Sequence, residues 1–236
     1  MAGKSVNEEI FDGVAGRYSE TIDASLGRFG ASHDFFTRHK ARLIARLLAA
    51  RGRSPADMDL LDVGCGIGQI HDLIGPSFRS VTGVDVSSAS IDQAKARFPD
   101  YRYMAYGGDR LPFDDAGFDM AMAICVFHHV PPAQWQALAA DMLRVLRPGG
   151  LALVIEHNPW NPVTRRIVNT CPIDRDAVLL TRGQTVELFR KAGATQVIAR
   201  SVLSIPPQTE TLMTVDGWFG RLPFGAQYWC LAVKGG

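Results

Sequence analysis

Residues 60–70 read "LLDVGCGIGQI", and the reading of this stretch decides the fold. Leu60 to Val63 close an apolar run, and Gly64, Gly66 and Gly68 then stand at alternate positions. Glycine lets a backbone turn sharply and come close to a ligand, and a helix opening directly afterwards offers free N–H groups and partial positive charge. A dinucleotide-binding loop requires G-x-G-x-x-G, which would put its third glycine at position 69. That position is Gln69, so the spacing is G-x-G-x-G with Asp62 ahead of it. A second acid, Asp85, ends the next apolar run, "SVTGVDV" (80–86), at the distance where a carboxylate takes the two hydroxyls of a ribose. A glycine loop followed by such an acid fits an adenosine-bearing ligand.

Short apolar runs and helical stretches alternate around this loop. Strands are expected at 58–63, 80–86, 101–106, 118–125 and 150–156, and helices at 69–75, 88–97 and 132–146. That rhythm implies a parallel sheet with right-handed crossovers. The run "LALVI" (151–155) does not alternate with polar residues and reads as a strand buried on both faces. Upstream, Phe35, Phe36, Leu43, Ile44, Leu47 and Leu48 recur at helical spacing, with Ser32 as cap and Gly52 as stop. Downstream, 182–193 reads as a helix ended by Gly193. Two further strands follow, at 195–205 and 226–234, joined by a linker over 206–226 rich in Pro, Gly and Thr. One domain is expected over 1–236: a helical cap over 1–52, a ligand-binding core over 53–157, and a lid with the final strands over 158–236.

Composition narrows the function classes. The chain has 236 residues, 47% hydrophobic and 21% charged, with a formal net charge of +1. That balance suits a globular domain with a real core, and the absence of a basic block argues against a dedicated nucleic-acid binder. No apolar run approaches the roughly 20 residues of a membrane helix, and "MAGKSVNEEIFDG" (1–13) has no apolar signal core. A cytoplasmic location with neither membrane nor nucleic-acid partner is expected. Cys65, Cys125, Cys171 and Cys230 form no CxxC pair, which argues against a structural zinc site or a disulfide framework. No convincing trio of carboxylates is visible, so no metal is expected. Nothing in the sequence speaks to assembly.

Four motifs stand in one order across residues 58–157: "LLDVGCGIGQ", "GVDVS", "LPFDDAGFDMAMAICVFHHV" and "MLRVLRPGGLALVIE". Together they resemble the class I S-adenosylmethionine-dependent methyltransferases of small-molecule type. The resemblance implies an α/β, Rossmann-like, seven-stranded, mostly parallel sheet. Its last strand (227–234) would be antiparallel and tucked between its neighbours, with helices on both faces and a helical N-terminal cap. It also implies S-adenosyl-L-methionine as cofactor and a role for each matching residue. Asp62 orders the loop and the methionine amino group through water, and the backbone of Gly64, Cys65 and Gly66, with Gln69 beyond, faces the methionine. Asp85 binds the ribose, Val86 packs on adenine, and Ile124 and Cys125 line the methionine side. Tyr18, in "FDGVAGRYSE", matches a tyrosine that closes over the cofactor, although a packed helix residue reads equally well there.

One departure concerns the adenine. The family pattern "GDAxxLPF" carries an aspartate four residues before the leucine, and here that position is Gly107 in "YGGDRLPF". Either Asp109 swings in, helped by Gly107 and Gly108, or backbone groups alone read the adenine. The second is the expectation.

The acceptor side rests on fewer signals. A hydroxyl nucleophile benefits from a base, and histidine is suited to that task near neutral pH. His128 and His129 follow the fourth strand, with strand-end capping as their ordinary role. "IEHNPWNPVTR" (155–165) follows the fifth strand, whose C-terminal end opens toward ligands in this fold. Alternation sends Glu156 and His157 to opposite sides, and His157 is the preferred base. Asn158 and Asn161 each precede a proline, which makes a stiff rim. Trp160 could stack on a planar or sugar acceptor and Arg165 could bind an acidic group, beside Glu156 and Asn158. The "NPW" triplet resembles an amine-methylation motif, but it lies after the fifth strand rather than the fourth and lacks the second proline. That reading is rejected.

The expected function is methyl transfer to a small molecule. The first acceptor class is an oxygen nucleophile on a natural-product, sugar or lipid-like precursor, and carbon or nitrogen acceptors come second. The rivals are a non-catalytic binder of the cofactor that regulates or scaffolds a partner, and a nicotinamide oxidoreductase.

Overall fold

The computed structural model of the chain describes residues 32–204 and 209–236. Tyr18 lies outside the described residues. The strands form one seven-stranded sheet in the order β3-β2-β1-β4-β5-β7-β6. The described chain divides into two compact units, one reaching Pro112 with Cys171–Ile173 and the other made of Phe113–Thr170 and Asp174–Gly236.

In the first unit, helix α1 (His33–Ala49) begins where expected, because the Ser32 side chain accepts from Phe35 N at 3.2 Å. It buries Leu43, Ile44, Leu47 and Leu48, and the chain turns at Gly52 with φ +62°. Strands β1 (Asp59–Val63), β2 (Ser80–Asp85) and β3 (Arg102–Ala105) pair in parallel. Leu60, Leu61 and Val63 of β1 are wholly buried, as a strand covered on both faces requires. Helix α2 (His71–Ile74) is a single turn, because Gly75-Pro76 breaks it into a 3-10 turn. Helix α3 (Ser88–Arg97) is capped by the Ser87 hydroxyl, which accepts from Ser90 N at 3.1 Å, and packs on β2 and β3.

In the second unit, β4 (Phe118–Ile124) runs parallel to β5 (Leu146–His157). Strand β7 (Gln227–Lys234) lies antiparallel between β5 and β6 (Ala194–Val202), as the resemblance implied. Helix α4 (Trp135–Arg144) turns Leu138, Ala139, Met142 and Leu143 inward and packs on β5. Helix α6 (Arg182–Lys191) opens with a capping box between Thr181 and Gln184 and packs on β6 and β7.

Two segments read as irregular are helical in part. The lid stretch after the fifth strand contains α5 (Pro162–Thr170). Asn161 starts it by accepting from Val163 N and Thr164 N at 3.0 Å, and Pro162 takes the first helical position, where a missing N–H costs nothing. The 206–226 linker contains α7 (Glu210–Phe219), started by the Thr209 hydroxyl accepting from Leu212 N. Its scattered glycine and threonine masked the helical period.

Candidate active site

The glycine loop of the first unit is held by backbone bonds. Gly64, Gly66 and Gly68 all adopt positive φ, at +72°, +53° and +71°. Only glycine enters that region without strain, so the alternation is conformational. Gly64 N and Cys65 N both donate to Val84 O, at 2.8 and 3.0 Å, which folds the loop back onto β2. Gly66 N donates to Asp85 Oδ2 at 2.8 Å and Ser87 N to Asp85 Oδ1 at 2.9 Å. Asp85 is buried, and burial raises its carboxyl pKa against the opposing pull of these N–H donors.

The two inner glycines differ in their surroundings. A Cβ on Gly66 would meet nothing within 4 Å, whereas one on Gly68 would lie 2.8 Å from the Tyr103 hydroxyl and 3.2 Å from His71 Nδ1. Gly66 borders open space, and Gly68 is packed inward. Asp62 also faces inward: its Oδ2 lies 3.0 Å from His71 Nε2, and His71 Nδ1 lies 2.6 Å from the Tyr103 hydroxyl. This buried Asp62–His71–Tyr103 chain supports the loop from beneath. No motif marked His71 or Tyr103. The Cys65 side chain packs with Ile91, Ala94 and Tyr103, and burial pushes its thiol pKa well up, so only its backbone is available to the loop. Gln69 and Val86 are both half-buried.

Asp109 occupies the place the sequence left open. A Cβ on Gly107 would stand 3.3 Å from Asp109 Oδ1, so this carboxylate returns to the neighbourhood of the missing side chain. Gly108, at φ +82°, supplies the turn, and its Cβ would come 3.1 Å from Val86 Cγ1. A carboxylate thus stands beside the position where the family pattern carries its aspartate.

The second unit carries a cluster of buried side chains at the end of β4 and β5. Glu156 is wholly buried and accepts from Val126 N at 2.9 Å and Phe127 N at 2.8 Å, while its Oε2 lies 2.6 Å from His128 Nδ1. Trp135 Nε1 donates to Phe127 O and Val130 O and holds the same turn from its other side. His128 Nε2 and His129 Nε2 lie 3.6 and 3.4 Å from Asp174 Oδ1. The His157 ring centroid stands 5.1 Å from that of His128.

Burial alone would strip the proton from His128, but the charge of Glu156 and the pairing with Asp174 outweigh it and hold the pKa well above the ordinary imidazole value. His129 goes the other way: burial and the neighbouring His128 push it down to about 3. Burial opposes the ionised form of both acids. The charge of His128 nonetheless holds Glu156 below its usual range, and the neighbouring His128 holds Asp174 at about 2.

These contacts revise three expectations. Glu156 faces the protein interior rather than an acceptor, and it positions His128. Asn158 is a buried staple: its Nδ2 donates to Pro223 O and Gly225 O at 2.6 and 2.7 Å, and its Oδ1 accepts from Trp160 N. That amide has no donor left for a substrate. Glu156 and His157 also do not part company, since both approach His128. Trp160 and Arg165 are exposed, Trp160 by 69%.

Ile124 and Cys125 end β4, and Cys125 adopts φ +58°, a strained backbone for a residue with a side chain. Gln227 Nε2 lies 3.8 Å from its Sγ, while Gln227 Oε1 is buried without a hydrogen-bond partner among the described residues. No motif had marked Gln227 or Asp174.

A methyltransferase-domain family profile matches residues 60–150. A probable S-adenosylmethionine-dependent methyltransferase of Mycolicibacterium smegmatis is 32% identical over 181 residues, covering 70% of this chain and 66% of that protein. A demethylmenaquinone methyltransferase of Beutenbergia cavernae is 34% identical over 156 residues, covering 65% of this chain and 59% of that protein. The chain thus spans less than two thirds of the length of these curated relatives. In fold it is similar to a SAM-dependent methyltransferase of Thermotoga maritima, described as a possible histamine N-methyltransferase. The TM-score is 0.70 at 16% identity, over 97% of this chain and 99% of that one. Motifs, strand order and relatives agree: the chain belongs to the class I S-adenosylmethionine-dependent methyltransferases.

Proposed function

We infer that the chain transfers the methyl group of S-adenosylmethionine to a small-molecule acceptor. The observation that carries this reading is the Asp85 carboxylate, fixed by Gly66 N and Ser87 N beside a glycine with open space at its Cβ. The carboxylate accepts backbone bonds and still has lone-pair capacity for a ribose hydroxyl. The residues of the first unit therefore suit the cofactor: Asp85 for ribose, Val86 and Asp109 for adenine, and the backbone from Gly64 to Gly66 for methionine. When bound, the cofactor supplies an electrophilic methyl group. The chain's task is to align an acceptor with it, exclude water and take up a proton.

An oxygen acceptor remains the first reading, because a hydroxyl must lose its proton and the second unit gathers three histidines around two acids. His157 is assigned the proton, and Glu156 and His128 orient its surroundings. A carbon acceptor is the second reading. It is favoured by the relative named demethylmenaquinone methyltransferase, since ionising a hydroxyl makes the neighbouring ring carbon nucleophilic. The non-catalytic alternative drew on the missing aspartate at Gly107, and the position of Asp109 weakens it.

The test is turnover of methyl-labelled cofactor against phenols, enols, quinols, sugars and amines. A labelled ether supports the oxygen reading, and a labelled carbon product replaces it with the second. Tight cofactor binding with no transfer to any acceptor in cell extract would turn the account to the scaffold. His157→Ala is expected to slow transfer by roughly a hundredfold with S-adenosylhomocysteine affinity unchanged. An unaltered rate would remove His157 as the base.

A further inference from the structure

We propose that His128, His129 and Asp174 form a binding site for one divalent first-row transition ion such as Zn²⁺, Fe²⁺ or Co²⁺. One ligand atom from each lies within 4.8 Å of the other two. Two ligands about 2.1 Å from a tetrahedral ion stand about 3.4 Å apart. Asp174 Oδ1 lies 3.4 Å from His129 Nε2 and 3.6 Å from His128 Nε2. Charge-assisted N–H···O bonds run at about 2.7–2.9 Å, so these separations are long for hydrogen bonds and right for two ligands of one ion. The same ring makes a short bond on its other side, 2.6 Å from Nδ1 to Glu156, which shows that the longer distances do not reflect a loosely built cluster.

That second bond has its own meaning. A metal-binding histidine ordinarily donates its other ring N–H to a carboxylate, which fixes the tautomer and aims the free nitrogen at the ion. Glu156 stands in that relation to His128, and is itself held by Val126 N and Phe127 N. Asp174 is held too: Ala177 N donates to Asp174 O, and Val178 N donates to the His128 carbonyl, tying the acid's turn to the histidine's. The side chains of His129 and Asp174 remain 15% and 13% exposed, so an ion has a way in.

Two imidazoles and one carboxylate favour a borderline transition ion over Mg²⁺ or Ca²⁺, which prefer oxygen. Three protein ligands leave at least one position for water or for an acceptor oxygen. This departs from the expectation of no metal, which searched for carboxylate trios. The histidines are adjacent in sequence, but Asp174 is distant from them.

The ion-binding claim stands apart from methyl transfer, and only its link to the acceptor rests on the proposed function. Chelator-treated full-length chain is titrated with Zn²⁺ by calorimetry and with Co²⁺ by visible absorption, without cofactor or acceptor. One ion per chain is expected, with the Co²⁺ bands of a nitrogen- and oxygen-ligated centre. Asp174→Asn and His129→Gln, both at partly exposed positions, should each weaken Zn²⁺ roughly tenfold or more while circular dichroism stays native. Mg²⁺ should not compete. Failure of the wild-type chain to bind Zn²⁺ stoichiometrically overturns the proposal, as does equal affinity in the folded variants. If one variant fails to fold, the other variant and the wild-type stoichiometry decide. Neither result bears on whether methyl transfer occurs.

Discussion

The glycine loop and the histidine cluster solve opposite problems. The loop dispenses with side chains: it consists of three glycines, a few backbone N–H groups and one acid, with open space at Gly66. The cluster consists almost entirely of side chains, with Glu156, His128, His129, His157 and Asp174 gathered in a small buried space. The first is built for occupancy and the second for charge. The loop should therefore respond to substitution mainly through ligand affinity, and the cluster through stability first.

The strongest test of that contrast is Glu156→Ala. It strands two backbone N–H groups and an imidazole that its carboxylate now satisfies. A loss of ~3–5 kcal/mol is expected from urea unfolding, because a buried charge loses its partner. Glu156→Gln, which keeps an acceptor, should cost less. A loss under ~1 kcal/mol in the alanine variant would show that the cluster is not a unit.

Within the loop, two neighbouring glycines should behave differently. Gly68→Ala combines a positive φ with contacts at 2.8 and 3.2 Å, and should cost ~2–3 kcal/mol of stability. Gly66→Ala meets open space, so backbone strain of ~1–2 kcal/mol is all the fold should register. Its main effect should be on S-adenosylhomocysteine affinity, as the new methyl enters the ligand's space. Equal stability losses and equal affinities in the two variants would erase the distinction between a packed glycine and an open one.

How far each region was legible follows from the same contrast. The loop announces itself because its parts are contiguous: Asp62, Gly64, Gly66 and Gly68 share one short stretch, and each glycine is required by a local φ. Helix α3 was legible for a similar reason, its cap and its apolar face being sequence neighbours. The cluster depends on strand register and on a turn far along the chain, so Asp174 gave no signal and Glu156 was placed on the wrong side of its function. Asn158 was misread because a buried staple and a substrate clamp require the same residue type. Helix α5 was within reach, since Asn161-Pro162 is a cap followed by a first-turn proline.

A smaller effect concerns the thiols. Burial pushes Cys230 up to about 12 and raises Cys65 well above its ordinary value. Both should resist iodoacetamide at neutral pH in the native chain and react only in denaturant, as read by mass spectrometry. Native labelling of Cys65 would mean that the loop opens more readily than its bonds to Val84 imply. Trp160→Ala should change stability by no more than ~0.5 kcal/mol, given its exposure. A raised KM for the acceptor in that variant would restore it to the binding surface.

The central claim is that Asp85 and the glycine loop hold an S-adenosyl ligand, and calorimetric titration of S-adenosylhomocysteine into the wild-type chain and Asp85→Ala tests it most directly. One site in the wild-type chain is expected, weakened by roughly 10- to 100-fold in the variant as charged hydrogen bonds of ~1.5–3 kcal/mol are lost, with no response to NADH in either. Binding of equal strength in both proteins, or NADH binding in place of S-adenosylhomocysteine, would contradict it.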